Sequence, residues 1–281
     1  MEENVKVLFN EPYPVEGMEI DCNISKPQKA ITSLPKDFKI KAMSDIRTLQ
    51  EYVAINYSNR ISLYRGHESQ NYKLESTIVR LFKNNKKCCV QDVIDAEEKG
   101  FKMFCLDVFK EKWLCNKLKN SDETLFKMSI GRHLGLPCRL IDVTASLETA
   151  VWFAVMNPKF YNVDGEIVFL VVNKDNIEET SASPFSTNKV SYAHEPFMAD
   201  SLNDMPLGEQ RRYIQCGHFI WVDNNSLLNE QQSISDSAIH IAHFTIPREA
   251  KIPLATELYR DVYSGCAYQS DIAKIKNCIM K

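Results

Sequence analysis

Hydrophobic residues recur at helical spacing through the first half of the chain and again near its end. Capping residues set the predicted helix ends: Ser44-Asp45 precedes the first apolar run, Gly135 and Pro137 follow the third, and Ser146 precedes the fourth. The predicted helices therefore cover about 45–58, 91–119 (one long helix, or two with a break at Gly100), 122–133, 146–157 and an amphipathic stretch at 269–279.

The strand signals lie mostly in the second half. Residues 61–65 alternate between apolar and polar as a half-buried strand does, and Gly66 is expected to end that strand. Three later runs, at 166–173, 217–223 and 238–246, are rich in β-branched and aromatic residues and have strand length. Helices that precede strands are typical of an α+β fold. We therefore predict a helix-rich first half and a mixed or antiparallel β-sheet core in the second half.

The composition limits which cellular compartment and which classes of ligand are expected. The formal net charge of −3 and the isoelectric point near 6.1 argue against a general polyanion-binding surface but leave room for a local basic patch. The nine cysteines include no Cys-x-x-Cys pair and the sequence shows no metal-ligand spacing, so neither a disulfide framework nor a metal is expected. The sequence shows no signal peptide and no apolar run of about 20 residues, which predicts a soluble cytoplasmic protein without membrane contact.

Residues 1–42 differ from the rest of the chain because they carry prolines at positions 12, 14, 27 and 35 and show little periodicity. Proline restricts the residue before it to extended conformations, so this segment is predicted to be an N-terminal arm. No internal repeat or low-complexity linker divides the remainder, and residues 43–281 are predicted to form a single domain.

Two segments concentrate polar side chains in apolar surroundings. Tyr64-Arg65-Gly66 places an arginine between an aromatic residue and a glycine at the end of the first predicted strand. The planar guanidinium can bind phosphate or carboxylate through two hydrogen bonds, and glycine lets a ligand or another backbone come close. The block 131–154 groups several polar residues around a Gly-Leu-Pro turn before an apolar helix. Arg65 therefore either binds a ligand or pairs with a buried carboxylate, for which Asp142 is the candidate.

These residues and a third block resemble the FRG domain family, which is named for its Phe/Tyr-Arg-Gly motif. Tyr64-Arg65-Gly66 is similar to that motif, and residues 133–144, His-Leu-Gly-Leu-Pro-Cys-Arg-Leu-Ile-Asp-Val-Thr, are similar to the family's His-Tyr-Gly-Leu-Pro-Thr-Arg-Leu-Leu-Asp-Trp-Thr. Residues 211–219 resemble the family's later Arg, Gln, Gly and Phe segment. Cys138 and Val143 depart from the usual Thr and Trp. Members occur in bacterial and phage-related proteins, and the resemblance implies no agreed reaction.

The order of the motifs also resembles, more distantly, that of the arginine-class ADP-ribosyltransferases. In that family a Tyr-Arg-Gly or similar motif ends the first core strand and its arginine holds NAD, while later motifs supply a hydroxyl residue and a catalytic glutamate. The resemblance implies NAD binding by Arg65, a hydroxyl from Thr144, and catalysis by Glu209 or Gln215, with Asp142 as an alternative catalytic carboxylate. The family's Ser-Thr-Ser and Glu-x-Glu signatures are absent from this sequence.

The function predicted from these resemblances is an NAD-consuming, ADP-ribosyltransferase-like effector in a toxin or antiviral-defence setting. NAD is the expected co-substrate, and the expected partners are a nucleotide ligand, a protein or nucleic-acid acceptor, and an antitoxin or other defence-system protein. The expected catalytic residues are Asp142, Gln215, Glu209 and His133. The expected cofactor-binding residues are Tyr64, Arg65, Gly66, Arg139, Thr144 and Arg212.

Two other functions and two structural roles remain as alternatives. A metal-free nuclease would use His133 and Asp142 as its catalytic residues. In a structural reading, His133 caps the C-terminus of its helix, and Arg139 forms an ion pair with Asp142. Arg65 and Asp142 are expected to line one cleft, and a convex basic face would instead favour a binding module. A non-enzymatic module that binds a phosphorylated ligand or a nucleic-acid end would use Arg65, Arg139, Arg211 and Arg212.

Overall fold

The structure is a computed structural model that describes residues 33–82, 89–108, 124–133, 135–172, 191–194, 217–221 and 239–261. These residues lie in one unit that spans Ile31–Lys281. The helices are α1 (Met43–Asn56), α2 (Thr77–Phe82), α3 (Val90–Val108), α4 (Thr124–His133), α5 (Leu147–Val155) and α6 (Arg248–Asp261). The strands are β1 (Ile61–His67), β2 (Leu140–Thr144), β3 (Gly165–Val172), β4 (Ser191–His194), β5 (Gly217–Trp221) and β6 (Ile239–Ile246). None of the helices described is long and apolar enough to cross a membrane.

The six strands form one sheet in the order β4-β5-β2-β1-β3-β6, and neighbouring strands run antiparallel. This confirms the predicted α+β fold. Of the two kinds of sheet that were predicted, mixed or antiparallel, the structure shows the antiparallel one. β1 lies in the first half of the chain and β2 lies at its midpoint, and the two strands occupy the middle of the sheet. The sequence pattern did not indicate β2, because four of its five residues are buried and the strand does not alternate.

One face of the sheet is covered by helices. α1, α5 and α6 pack against the half formed by β1, β3 and β6, where Tyr64, Ile167 and Phe169 are buried. α3 and α4 pack against the half formed by β2 and β5, around Leu140 and Trp221. A fully buried large apolar side chain contributes about 1.5–3 kcal/mol by leaving water. Strand alternation places a second buried set on the opposite face: Leu63, Ile141, Val143, Val168, Leu170, Val172 and Ile220.

Capping residues account for two predicted helix ends. Ser146 is the N-cap of α5, as predicted, and its Oγ accepts a hydrogen bond from the backbone N of Thr149 at 3.1 Å. α4 ends at His133, as predicted, and Gly135 follows it with a left-handed φ of 97°. The site block 131–154 therefore runs from the last turn of one helix, through β2, into the next helix.

Two helix predictions are corrected. α1 begins at Met43, so Asp45 lies in its first turn rather than at the N-cap, and its carboxylate accepts from the backbone N of Ala42 at 3.0 Å. α3 runs unbroken through Gly100, so the glycine does not divide the helix. Glycine inside a helix costs about 1 kcal/mol relative to alanine, which the packing of α3 offsets. The predicted helical residues 109–119 and 269–279 lie outside the described residues.

α6 was not predicted from the sequence. Pro253 lies inside α6 and removes one backbone donor, which is why the pattern did not indicate a helix there. The buried Lys251 ties α6 to the end of β1, because its Nζ donates to the carbonyl oxygens of Glu68 at 2.6 Å and Phe160 at 2.7 Å. Burial lowers the pKa of Lys251, so these carbonyls supply the polar contacts that the lysine gives up in water.

Part of the segment predicted as an arm packs on this sheet. Ile40 is fully buried, and its backbone N donates to the backbone O of Thr245 in β6 at 3.0 Å. Lys39 forms an isolated parallel bridge with the same threonine. Residues 33–42 thereby cover part of the edge strand β6, which reduces its exposed row of backbone donors and acceptors.

Candidate functional site

The candidate site begins where β1 and β2 separate. These strands share one register pair, Tyr64 with Thr144, whereas β1 and β3 share seven. Beyond that pair, the backbone carbonyl of Asp142 accepts a hydrogen bond from Nη1 of Arg65. The Arg65 side chain therefore links the two middle strands where their register pairing ends.

Two guanidinium groups converge on the carboxylate of Asp142. Nη2 of Arg132, in the last turn of α4, lies 2.5 Å from Oδ2 of Asp142, and Nη1 of Arg65 lies 3.7 Å from the same oxygen. Within the described part of the chain, Oδ1 of Asp142 meets no donor. The side chains are 39% exposed for Asp142, 21% for Arg65 and 17% for Arg132, so the cluster is open to solvent. Arg65 is therefore paired with Asp142, the carboxylate expected from the sequence as its candidate partner.

A tight turn after α4 positions Arg132. The backbone N of Gly135 donates to the carbonyl of Arg132 at 3.1 Å, and that of Leu136 donates to the carbonyl of Gly131 at 2.8 Å. These are the two hydrogen bonds of a Schellman helix end, and the φ of 97° at Gly135 is the left-handed position that the motif requires. Gly131 is itself constrained, because a Cβ there would lie 2.8 Å from Cδ2 of Leu136. The glycines of this block therefore fix where Arg132 meets Asp142.

The site carries more positive than negative charge. Burial lowers the pKa of Arg65, Arg132 and Arg80 add to that effect, and Asp142 opposes it. Arginine remains protonated in proteins, so two guanidinium groups share one carboxylate, and the charge of Arg80 also acts on Arg65. An excess of cations favours an anionic ligand, and the planar fork of a guanidinium matches phosphate geometry.

Two other residues of the predicted cofactor site lie in the packing. Tyr64 is buried, and its ring stacks on that of Phe169 with 5.3 Å between the ring centres. Burial raises the pKa of the Tyr64 hydroxyl. Thr144 is also buried, and its Oγ1 accepts from the backbone N of Ser146 at 3.0 Å, where the chain turns into α5. Their side chains stabilise the frame of the site and do not line its open part.

Gly66 serves the packing of α5. The glycine lies inside β1, which continues to His67 instead of ending at Gly66 as predicted. A Cβ at Gly66 would lie 1.8 Å from the backbone O of Ala150, so no other residue fits beneath α5. The sequence left open whether Gly66 allows the close approach of a ligand or of another backbone. In the structure the backbone of α5 approaches it.

Arg139 lies in the core rather than at the open site. Its backbone N and Nε donate to the carboxylate of Glu97 at 2.6 and 2.7 Å, and both side chains are fully buried. The guanidinium carbon lies 4.5 Å from the centre of the Trp221 ring. The alternative ion pair between Arg139 and Asp142 is therefore not observed, since Asp142 meets Arg132 and Arg65 instead.

The third block is described only at its end. Gly217–Trp221 forms β5, and Phe219 is the register partner of Asp142, so this block adjoins the site strand β2. The side chain of His133 lies outside the described part, as do four residues singled out from the sequence: Glu209, Arg211, Arg212 and Gln215. No group of three or more His, Cys, Asp or Glu within the described ranges is placed to hold a metal ion.

The structure makes two residues prominent that had no role assigned from the sequence. Arg132 is one of the polar residues of the block 131–154, but it was not among the predicted binding residues. Glu97 had a clearer signal, because it lies four residues after Val93 and four before Phe101, both of which are buried. A carboxylate on the apolar stripe of a helix indicates a buried partner.

Comparison with known proteins supports part of the resemblance. Residues 60–162, which include β1, α4, β2 and α5, match the family model described as FRG domain. The matched segment contains Arg65, Arg132 and Asp142, so the match covers the whole described cluster. No curated protein and no solved structure matches the chain significantly.

Proposed function

We propose that this domain binds a phosphorylated ligand and that Arg65 and Arg132 hold its phosphate beside Asp142. The observation that carries the proposal is the convergence of two guanidinium groups on one carboxylate oxygen. One carboxylate balances one of these cations, which leaves the second available to an anion. The partial exposure of all three side chains gives that anion access.

Replacing either arginine by lysine should weaken phosphate binding, because the charge stays while the planar fork is lost. We expect Arg65→Lys and Arg132→Lys each to raise the Kd for ADP-ribose by roughly 10–100-fold, the usual loss for a charge-assisted hydrogen bond. Isothermal titration calorimetry with ADP-ribose, and with sulfate as a minimal anion, measures the change. Arg47→Lys, at an exposed position of α1, is the matched control and should bind like wild type.

Thermal melting of the same variants separates lost binding from lost folding. Both site variants should melt as cooperatively as the wild type, so that their weaker binding reports on the site. Equal Kd values for the wild type and both site variants would show that this cluster does not bind phosphate. A folded wild-type protein that binds neither ADP-ribose nor sulfate would do the same.

The more specific proposal is that NAD is the ligand and that the protein consumes it. The motif order shared with arginine-class ADP-ribosyltransferases favours this reaction, and Oδ1 of Asp142, which meets no donor among the described residues, is available to face a sugar. The bond between ribose C1′ and the nicotinamide nitrogen breaks, and nicotinamide leaves with the electron pair. A nucleophile from water, protein or nucleic acid then bonds to C1′ and releases its proton to solvent. A carboxylate near C1′ stabilises the cation that develops.

Asp142→Asn should slow nicotinamide release by on the order of a hundredfold, because the amide keeps the shape and removes the charge. ADP-ribose binding should persist in this variant, since both guanidinium groups remain. Mass spectrometry of the products detects nicotinamide together with ADP-ribose that is free or linked to an acceptor. Tight ADP-ribose binding by the wild type, without nicotinamide release for any acceptor, would assign the domain to the non-enzymatic binding class.

A further inference from the structure

A line of polar side chains runs from Arg65 across three strands, on the sheet face opposite α1, α5 and α6. Nε of Arg65 lies 3.3 Å from Nε2 of His67. Nδ1 of His67 lies 3.5 Å from Oε2 of Glu166 in β3, and Nδ1 of His243 in β6 lies 3.0 Å from Oε1 of the same carboxylate. His67 and Glu166 are register partners, which places their side chains next to each other on one face.

The contact with Arg65 fixes the protonation state of His67. The Nε–H of arginine can only donate, so Nε2 of His67 has to accept through its lone pair. A neutral histidine carries one proton, which then lies on Nδ1 and faces Glu166. Protonation of Nε2 would set two N–H groups against each other and place a second cation beside the guanidinium. The observed arrangement therefore requires a neutral His67.

We propose that His67 and Glu166 are positioning residues of the anion site: neutral His67 holds the Arg65 guanidinium in its binding orientation, and protonated His67 releases it. This proposal rests on the phosphate-binding function proposed for Arg65. Two contacts orient the guanidinium, one from Nε to His67 and one from Nη1 to the carbonyl of Asp142. With both in place, the remaining N–H groups keep a constant direction toward a bound phosphate.

The groups around His67 determine when it takes up a proton. They are Arg65 on its own strand, Glu166 on β3, His243 on β6, and Tyr72, whose ring centre lies 6.1 Å from that of the imidazole. Burial lowers the pKa of His67, Glu166 opposes that effect, and Arg65 and His243 add to it. The hydrogen bond to Glu166 raises the pKa of His243. His67 is therefore neutral at neutral pH and becomes protonated after His243 as the pH falls.

Anion affinity should consequently fall on acidification through the pKa of His67. A fall in affinity is distinctive. Acidification makes a protein more positive, and that change by itself would strengthen anion binding. Sulfate and the pyrophosphate diester of ADP-ribose keep their charge over this range, unlike a phosphate monoester, whose second pKa is about 6. A fall in affinity for both probes therefore reports on the protein.

The test is the Kd for ADP-ribose and for sulfate, measured by calorimetry at mildly alkaline and mildly acidic pH. Glutamine at position 67 offers an acceptor in place of Nε2 and takes up no proton, whereas phenylalanine keeps the ring without an acceptor. We expect the wild type to lose about tenfold in affinity on acidification and His67→Phe to bind about tenfold more weakly at both pH values. His67→Gln should match the wild type at alkaline pH and lose nothing at acidic pH.

Two further variants should move the midpoint of the pH profile in opposite directions. Glu166→Gln removes a carboxylate that raises the pKa of His67, so the midpoint should fall. His243→Gln removes a cation that lowers the pKa of His67, so the midpoint should rise. A purely structural role for these residues would change melting temperatures and leave the midpoint in place.

The possible results separate this proposal from the proposed function. Wild-type protein that binds neither probe at alkaline pH would overturn the proposed function, and the positioning role with it. Wild type that binds both probes, with no loss on acidification or with an equal loss in His67→Gln, would overturn the positioning role alone. The same conclusion would follow if His67→Phe, shown to be folded by its melting transition, bound like the wild type.

Discussion

Replacing Glu97 by glutamine should lower the free energy of unfolding by about 3–5 kcal/mol, the usual cost of breaking a buried ion pair. Glu97 and Arg139 are both fully buried, and the carboxylate accepts two hydrogen bonds from the arginine at 2.6 and 2.7 Å. Glutamine keeps the shape of the side chain and removes the charge that faces the guanidinium beside Trp221. In a chain of this size the loss corresponds to a fall of roughly 10 °C in melting temperature. Chemical denaturation and calorimetry measure both quantities.

The next residue along α3 supplies a matched control. Glu98 is 42% exposed and pairs with Lys102 at 3.4 Å across one helical turn. Exposed pairs of this spacing contribute about 0.3–0.5 kcal/mol, so Glu98→Gln should melt close to the wild type. If the two variants melted at the same temperature, the buried pair between Glu97 and Arg139 would not be a major source of stability.

Local sequence signals were sufficient for most of the fold. The helical stripe and the Ser146 cap predicted α5, the Gly135 turn predicted the end of α4, and β-branched runs predicted β3, β5 and β6. Four elements were not predicted: α2, α6, β2 and β4. β2 and α6 depend on tertiary contacts. β2 is buried between two other strands, and α6 contains Pro253 and is held in part by a buried lysine.

The candidate site was predictable in part. The sequence indicated that Arg65 and Asp142 would meet, because an arginine and a carboxylate in apolar surroundings require partners. It placed Arg132 in the polar block but gave it no role, because its contact with Asp142 depends on the path of the chain through the turn after α4. Arg139 carries the same chemistry as Arg132 and lies only three residues before Asp142, yet Glu97 holds it in the core. The residue types therefore indicated a polar cluster, but the path of the backbone determines which arginine reaches Asp142.

The line from Arg65 to His243 could not be read from spacing at all. His67 and Glu166 become neighbours through the register of β1 against β3, and Glu166 and His243 through the pairing of β3 with β6. A shift of one residue in the first register would put Glu166 on the opposite face from His67. The buried apolar residues on both faces fix that register. The apolar core therefore determines which polar groups reach Arg65.

Gly66→Ala should destabilise the domain by about 3 kcal/mol, at the upper end of the usual cost of overpacking, because the obstacle is backbone. The added Cβ would lie 1.8 Å from the carbonyl oxygen of Ala150 and 2.9 Å from the backbone N of Ala154. α5 has to move away from β1 to relieve this clash, and Thr144 and Ser146 connect α5 directly to β2. We therefore expect weaker ADP-ribose binding as well as a lower melting temperature.

Gly100→Ala is the matched control, since it adds the same methyl group inside α3. Among the described residues, its Cβ would meet only Cδ1 of Leu136, at 3.6 Å, which is an ordinary contact. Alanine in a helix interior is more favourable than glycine by about 0.5–1 kcal/mol, so this variant should be more stable than the wild type and bind normally. The two variants should therefore change the free energy of unfolding in opposite directions. Because both add one methyl group, this difference isolates the contact between Gly66 and α5. A Gly66→Ala protein as stable as the wild type would show that α5 does not rest on β1 at this residue, and the glycine of the Tyr-Arg-Gly motif would need a role at the ligand instead.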